Sequence, residues 1–230
     1  MFTLTPEEWQ AVRLSLVVAA NAIAMGLPVA IITSLLLRWR KMPGRTILNI
    51  IVHLPLVLPP VVVGWLLLVV FGIRGYVGQF LYDWFGIRLV FTATGAALAC
   101  AVMTFPLMVR AIRLSLDTVD AGLEEAAGTL GAGPIDRFFT VTLPLMLPGV
   151  ISGAIMGYAA SLGEFGAVIT FASNVPGQTQ TLPLAIFAAL QTPGGEEAAA
   201  RLALVSIVLA VAGLLLGEWF GRWAGKRLKS

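Results

Sequence analysis

The chain of 230 residues is 58% hydrophobic and only 12% charged, with a formal net charge of +3. Soluble globular domains approach a quarter charged residues, so this composition excludes an ordinary soluble protein, and a single domain covering residues 1–230 is the natural expectation at this length. The basic balance does not indicate a nucleic-acid partner, because the Lys and Arg residues stand at the ends of apolar runs, which is the membrane pattern.

The N-terminal segment predicts a helix start rather than a cleaved signal peptide. It lacks a basic region followed by a short apolar core and a small-residue cleavage site. Thr5 suits the N-cap, Pro6 suits the first helical position, and Glu8 completes a capping box. We therefore expect a helix to begin here and to lead directly into the first apolar run.

Apolar runs of about 20 residues mark membrane helices, because that length crosses the ~30 Å hydrocarbon core. The sequence predicts an all-α, polytopic membrane protein with five transmembrane helices, at about 11–37, 46–71, 92–114, 145–165 and 202–220. Between the fourth and fifth spans, the apolar stretch at 167–172, with 182–190 beyond it, is broken by polar residues, Pro and Gly. It is too short to span, and we interpret it as re-entrant or interfacial.

The distribution of Lys and Arg predicts the orientation of the spans. The connection 38–45, the connection 110–144 and the tail from Arg222 to Lys229 together hold 11 of the 15 basic residues. Cytoplasmic connections carry an excess of Lys and Arg. The rule places the N-terminus outside and the C-terminus in the cytoplasm, with the polar connection between the third and fourth spans on the cytoplasmic side.

Three prolines, Pro55, Pro59 and Pro60, fall inside the second span. Each lacks a backbone donor and so kinks or breaks the helix. Broken backbone at membrane depth is tolerated where protein or a water-filled cavity covers it. The span therefore either lines a pore and moves during gating or carries a static kink. The nearby His53 is expected to be a hydrogen-bonded span residue beside the break.

The polar loop at 117–144 predicts two short amphipathic helices. Asp120 can cap the first, Gly131 or Gly133 can end it, and Pro134 can open the second. One apolar face of the first helix follows from the spacing of Leu123, Ala126, Ala127 and Leu130. Such a face suits either a groove on a partner protein or the lipid headgroups, although a membrane-surface helix normally carries more Lys and Arg.

The spacing within this loop carries a family resemblance. Glu125-Ala126-Ala127, three residues, Gly131, nine residues and Val141-x-Leu143-Pro144 resemble the EAA loop of binding-protein-dependent ABC importer permeases, with Val at 141 in place of Ile as the single departure. The resemblance implies a coupling helix that docks into a cleft on an ATPase subunit. Glu125, Ala126, Ala127 and Gly131 would carry the docking, and Leu143 and Pro144 would join the loop to the next span.

Further segments resemble the molybdate permease subunits of bacteria. They are HLPLVLPPVVVG (53–64), LYDWFGI (81–87), SLGEFGA (161–167) and QTPGGE (191–196). The resemblance implies a homodimer in the bacterial inner membrane, two cytoplasmic ATP-binding subunits, and an external (periplasmic) molybdate-binding protein. Molybdate would cross by alternating access. A permease for tungstate or sulfate is the alternative, and a secondary carrier working alone is a more distant one.

The chain lacks the residues of an enzyme. No G-x-x-x-x-G-K-[ST] phosphate loop occurs, so ATP and Mg would be bound by the partner ATPase subunits and no cofactor by this chain. One histidine and one cysteine cannot assemble a metal site or a nucleophile–base pair within a single chain. We expect a transport subunit with no catalytic residue and no metal ligand.

Glu164 is the one carboxylate near the end of a span, and an ionisable group there is a functional candidate. An ionised glutamate would repel a dianion, so we expect structural pairing or a part in the external gate rather than ligand binding. No Lys or Arg lies near the middle of a span, which favours a permease without a strong dianion site. Transient contacts would then come from backbone N–H groups at broken helix ends, or from Asn21, Thr33, Ser34 and Thr104.

Overall fold

The computed structural model describes residues 3–39 and 42–227, so Arg40, Lys41 and Lys229, which contribute to the predicted orientation, lie outside the described residues. The all-α prediction is confirmed for the described part, which contains no strand. The helices are α1 (Pro6–Arg38), α2 (Arg45–Val57), α3 (Pro60–Phe71), α4 (Tyr76–Phe85), α5 (Ala93–Asp117), α6 (Ala121–Thr129), α7 (Pro134–Arg137), α8 (Leu143–Leu162), α9 (Gly166–Ala172), α10 (Leu182–Leu190) and α11 (Glu196–Arg227).

Four helices within the described residues are long and apolar enough to cross a membrane. They are α1, α5, the continuous helical run Pro134–Leu162 that ends in α8, and α11 over Glu196–Gly217. The predicted second span is not one helix: α2 and α3 are separated by a break and bent by 120°. The pair counts as a fifth span only when its two halves are taken together.

The capping box predicted at the N-terminus is present. The Glu8 N–H donates to Thr5 Oγ1 (3.2 Å), and Glu8 Oε2 accepts from the Thr5 N–H (2.9 Å). The other carboxylate oxygen of Glu8 accepts from Arg201 Nη2 at 2.7 Å. Glu8 is only 7% exposed, and this partly buried ion pair joins the start of α1 to α11. Sequence reasoning did not pair Glu8 with Arg201, because the two residues are 193 positions apart.

The centre of the bundle is α5, which packs between α1 and α8. On α8, three glycines at four-residue spacing face α5 and α1 and leave no room for a side chain. A Cβ on Gly149 would lie 2.7 Å from the Ala111 carbonyl oxygen, and one on Gly157 would lie 2.8 Å from Ile23 Cδ1. The backbones of α5 and α8 approach closely at Gly149, and both helices lead into the polar loop at 117–144.

The two short apolar segments after α8 form α9 and α10, each too short to span. Along α9, Val168 and Phe171 are fully buried. The start of α10 is tied to α1, because the Leu182 N–H donates to the buried Ser15 Oγ at 2.6 Å. These segments therefore pack within the bundle as helices rather than forming an irregular surface layer.

Candidate functional site

The loop between α5 and α8 begins with a capped helix. The Asp120 side chain accepts from the Gly122 N–H at 2.8 Å, as expected for an N-cap. The helix α6 that follows carries Glu125, Ala126 and Ala127. Glu125 and Ala126 are exposed, whereas Ala127 is half-buried.

The end of α6 is set by Gly131, which resolves the choice between the two candidate glycines. Gly131 has φ +92°, a left-handed conformation that L side chains rarely adopt. The Ala132 N–H donates to the Ala127 carbonyl (3.0 Å), and the Gly131 N–H donates to the Gly128 carbonyl (3.1 Å). This pair of bonds is a Schellman motif, which requires the positive φ at this position. The glycine of the EAA pattern therefore terminates the helix.

The side chain of Arg137 packs against α6. The Cβ that an alanine would carry at Gly128 would lie 3.1 Å from Arg137 Nη1, so the guanidinium packs directly against the backbone of α6. Arg137 Nε is buried and has no hydrogen-bond partner among the described residues. The arginine follows Pro134 in α7, so α6 and the start of the next helix form one folded unit.

The prediction that the loop contains a second short helix separate from the next span is wrong. Pro134 opens α7 as expected, but α7 continues through a π-helical segment, Phe138–Thr142, into α8 without interruption. Pro144 has no N–H and would crowd the carbonyl four residues before it, and a widened turn accommodates both effects. Leu143 is half-buried against the α5–α8 core, and Pro144 is exposed. The pair thus lies where the loop becomes the span.

The loop presents apolar side chains to its surroundings. The predicted face of α6 is exposed at both ends, with Leu123 at 49% and Leu130 at 89%. Ile135 (75%) and Phe139 (60%) extend this surface onto the following helix. We call the exposed side chains of Leu123, Glu125, Ala126, Leu130, Ile135 and Phe139 the loop surface. Large apolar groups exposed on a connection between membrane helices are typical of interaction sites, so the loop surface is a candidate site.

A second feature is the break between α2 and α3. The Leu58 N–H donates to the Leu54 carbonyl (3.1 Å) to close α2, and Pro60 occupies the first turn of α3. Pro59 is the N-cap residue of α3. Pro55 lies inside α2 without breaking it, so only the consecutive pair Pro59-Pro60 divides the span.

The break rests on the start of α9. A Cβ on Gly166 would lie 2.7 Å from Pro60 Cβ, and a Cβ on Gly64 would lie 2.8 Å from the Ala167 carbonyl oxygen. Just before α9, Glu164 Oε1 accepts from the Ala167 N–H at 2.9 Å and caps the helix. The structure therefore brings Glu164 and the Pro59-Pro60 break into one region. Sequence reasoning missed Gly64 and Gly166, the two glycines that permit this contact. Small residues in apolar segments are the usual signal of such close helix packing.

Pro55 lies in a different environment. It lines an apolar cavity of about 510 Å³ between α1, α2 and α5, together with Met25, Val29 and Phe105. Thr33 also lines this cavity and is 8% exposed. The walls are almost entirely apolar, so the cavity has no chemistry for binding a dianion.

Two of the polar residues suggested as transient contacts are already engaged. Ser34 Oγ donates to the Ala30 carbonyl (2.7 Å), and Thr104 Oγ1 donates to the Cys100 carbonyl (2.8 Å). Both side chains are buried, so neither offers a free donor to a passing ion. Asn21 is exposed on α1. The part of the chain that the structure describes holds no group of three or more His, Cys, Asp or Glu that could bind a metal.

A polar connection that the sequence did not indicate joins the broken span to α5. Arg113 Nη1 donates to Asn49 Oδ1 at 2.9 Å, and His53 Nδ1 donates to the Asn49 carbonyl at 2.8 Å. The expectation of a hydrogen-bonded His53 is thereby confirmed. Arg113 lies one turn before the end of α5, so the link connects α2 to the helix that leads into the loop.

Comparison with known proteins gives a consistent result. Residues 22–229 match the family described as binding-protein-dependent transport system inner membrane component. The chain is 57% identical over 224 residues to the molybdenum transport system permease protein ModB of Escherichia coli (strain K12), covering 97% of this chain and 98% of that protein. It is 52% identical over 221 residues to the ModB protein of Haemophilus influenzae, covering 96% of each.

Solved structures share the fold. A bacterial ABC transporter involved in the import of the acidic polysaccharide alginate superposes with a TM-score of 0.71 at 16% sequence identity, covering 97% of this chain and 80% of that chain. At this identity the likeness concerns the fold alone.

Proposed function

This chain belongs to the family of binding-protein-dependent transport system inner membrane components, and we propose that it is the membrane permease subunit of a molybdate importer. The observation that supports molybdate as the substrate is the 52–57% identity to two molybdenum transport permeases over nearly the whole of each chain. Tungstate or sulfate as the primary substrate is not favoured by these relatives. The family is one of transport subunits, so the chain is not an enzyme in its own right.

The partner at the loop surface is an ATP-binding subunit in this proposal. Leu130 is exposed in the connection between the membrane helices, and Ile135 and Phe139 are exposed at the start of the helical run that ends in α8. The Schellman end at Gly131 and the Arg137 guanidinium hold α6 in a fixed shape, which reduces the ordering cost of docking. Glu125 and Ala126 face outward from this rigid helix. Each permease copy would engage one ATP-binding subunit, which carries ATP and Mg.

The second copy of the chain completes the pore. One copy offers four or five spans, and the cavity that Pro55 lines has almost entirely apolar walls. In a homodimer, the broken spans of the two copies would face each other across the pore, with Pro59, Pro60 and the Glu164 region at the gate. The positive-inside rule places the loop surface in the cytoplasm and the N-terminus outside. A periplasmic binding protein would deliver molybdate to the opposite end.

A movement of the ATP-binding subunits would reach the gate through α5, α8 and α2. α5 and α8 flank the loop and pack without space for a methyl group at Gly149. The pair therefore moves as a unit when the loop moves. The Arg113–Asn49 hydrogen bond passes that motion to α2, and the Pro59-Pro60 break absorbs it as rotation about a hinge.

Co-purification tests the docking. The permease and its ATP-binding subunit are expressed together, and the complex is isolated through a tag on the permease. Glu125→Lys should abolish the complex, because it reverses a charge at the centre of the loop surface. Glu196→Lys reverses an exposed charge at the other end of the bundle and should leave the complex intact. Retention of the complex in both variants would overturn the assignment of α6 as the docking helix.

A further inference from the structure

The helix α4 has a defined position at the end of the bundle opposite the loop surface. It follows α3 and precedes α5, whose other end leads into the loop. Gly78 is buried and packs on the carbonyls of Phe71 and Gly72, where a Cβ has no room. Gly86 closes the helix with φ +65°. At ten residues α4 is about 15 Å long, too short to cross a bilayer.

The outward side of α4 is an aromatic stripe. Tyr76, Phe80 and Trp84 recur at four-residue spacing, which places them on one side of a helix. They are 94%, 52% and 75% exposed, and the Phe80 and Trp84 rings lie 6.0 Å apart between centroids. Gln79 and Asp83 fall beside the stripe and are also exposed. The helix therefore has a packed side at Gly78, an apolar exposed side and a polar edge.

The chemistry of this stripe fits the surface of a bilayer. Trp and Tyr concentrate at the level where spans leave the hydrocarbon, because their rings are amphipathic. α4 connects two membrane helices and so lies near that level. Two arginines flank it, Arg74 and Arg88, against the one carboxylate of Asp83. The Arg88 guanidinium lies 4.9 Å from the centre of the Tyr82 ring. A short helix with an apolar face and flanking basic residues binds at the headgroup boundary.

We propose that α4 is an interfacial anchor, with Tyr76, Phe80 and Trp84 inserted into the headgroup region of the bilayer leaflet at that end of the bundle. The anchor fixes the depth of the end of α3 through the contact at Gly78. The inference depends on the chain being a membrane protein and is independent of the substrate transported.

Spin labels at four positions test the anchor. The chain has one cysteine, Cys100, which is buried, so Cys100→Ala provides a cysteine-free background. Phe80→Cys and Trp84→Cys report on the stripe, and Gln79→Cys and Asp83→Cys are matched controls on the polar edge. The permease complex is placed in nanodiscs of phosphatidylcholine and phosphatidylglycerol. Collisions of each nitroxide with oxygen and with a water-soluble nickel chelate are then compared.

The anchor predicts a several-fold higher ratio of oxygen to nickel collisions at positions 80 and 84 than at 79 and 83. Equal nickel access at all four positions would overturn it. Shielding that appears only on adding the external binding protein would also overturn it, because the stripe would then be a protein docking surface. Dipolar broadening between labels on two copies would assign it to a dimer contact instead.

Wild-type protein provides a readout that needs no cysteine variant. Lipids brominated near the headgroup should quench the fluorescence of wild type more than that of Trp84→Phe. Equal quenching of the two proteins would contradict insertion of Trp84.

Discussion

Replacing Gly131 by alanine should fray the end of α6 without a steric clash. A Cβ at this position would meet nothing within 4 Å, so the cost is confined to the backbone at φ +92°. A left-handed conformation costs an L residue about 1–2 kcal/mol, which is a factor of about 5–30 in the ratio of closed to frayed ends. Gly133 provides a matched control two residues away.

The control differs from the test position in one respect. Gly133 also has open space around its Cβ position, but its φ of −68° suits any residue. Alanine there should be close to neutral, because the gain of up to about 1 kcal/mol from restricting the unfolded chain is offset by the poorer preference of alanine for the N-cap position of α7. Asparagine tolerates the left-handed region better than alanine, so Gly131→Asn should fall between wild type and Gly131→Ala.

Hydrogen exchange at two amides measures the effect. The N–H groups of Gly131 and Ala132 make the two bonds of the Schellman motif, and they should exchange about 5–30 times faster in Gly131→Ala. The affinity for the ATP-binding subunit should fall by no more than the same factor, because docking selects the closed end. Equal exchange in Gly131→Ala and Gly133→Ala would refute the reasoning, as would a larger effect of asparagine than of alanine.

Two further predictions concern the opposite end of the bundle and the region of the break. Glu8→Ala should destabilise the protein by about 1–3 kcal/mol, less than a fully buried pair, because Arg201 stays 24% exposed. Glu197→Ala removes a 4.0 Å contact of the same arginine from a 93% exposed side chain and should change stability by less than about 0.5 kcal/mol. Thermal unfolding of the complex in detergent checks both, and equal shifts would contradict the difference in burial. Glu164→Ala should cost about 1 kcal/mol through loss of the cap on the Ala167 N–H, whereas Glu164→Gln keeps an accepting oxygen and should transport molybdate nearly as wild type. Loss of uptake in the glutamine variant would instead show that the charge itself is required.

Local signals predicted the structure where the deciding interactions are close in sequence. The capping box at Thr5 and Glu8 and the cap at Asp120 each join residues two or three positions apart, and both are present. The pattern Gly131-Ala132-Gly133 offered two equivalent helix stops. Only the hydrogen bonds to the preceding turn distinguish them, because the left-handed conformation belongs to the first.

The remaining features depend on packing that a single sequence does not display. Pro55 and the pair Pro59-Pro60 look alike as helix breakers, yet Pro55 is accommodated inside α2 and the consecutive pair divides the span. The contact of Pro60 with Gly166 spans more than a hundred residues of chain. α7 runs into α8 through a widened turn, Phe138–Thr142, that accommodates Pro144, and no residue pattern in the sequence signals that turn. A single sequence therefore does not predict which distant residues come into contact or which prolines a helix accommodates.

Uptake of radioactive molybdate into proteoliposomes tests the central claim most directly. The permease is reconstituted with its ATP-binding subunit. ATP is enclosed inside the vesicles, and molybdate and its binding protein are added outside. We expect accumulation that requires ATP, the ATP-binding subunit and the binding protein, and that stops in Glu125→Lys. Molybdate accumulation that persists without ATP, or that follows an ion gradient in the absence of the ATP-binding subunit, would contradict the account and indicate a carrier that works alone.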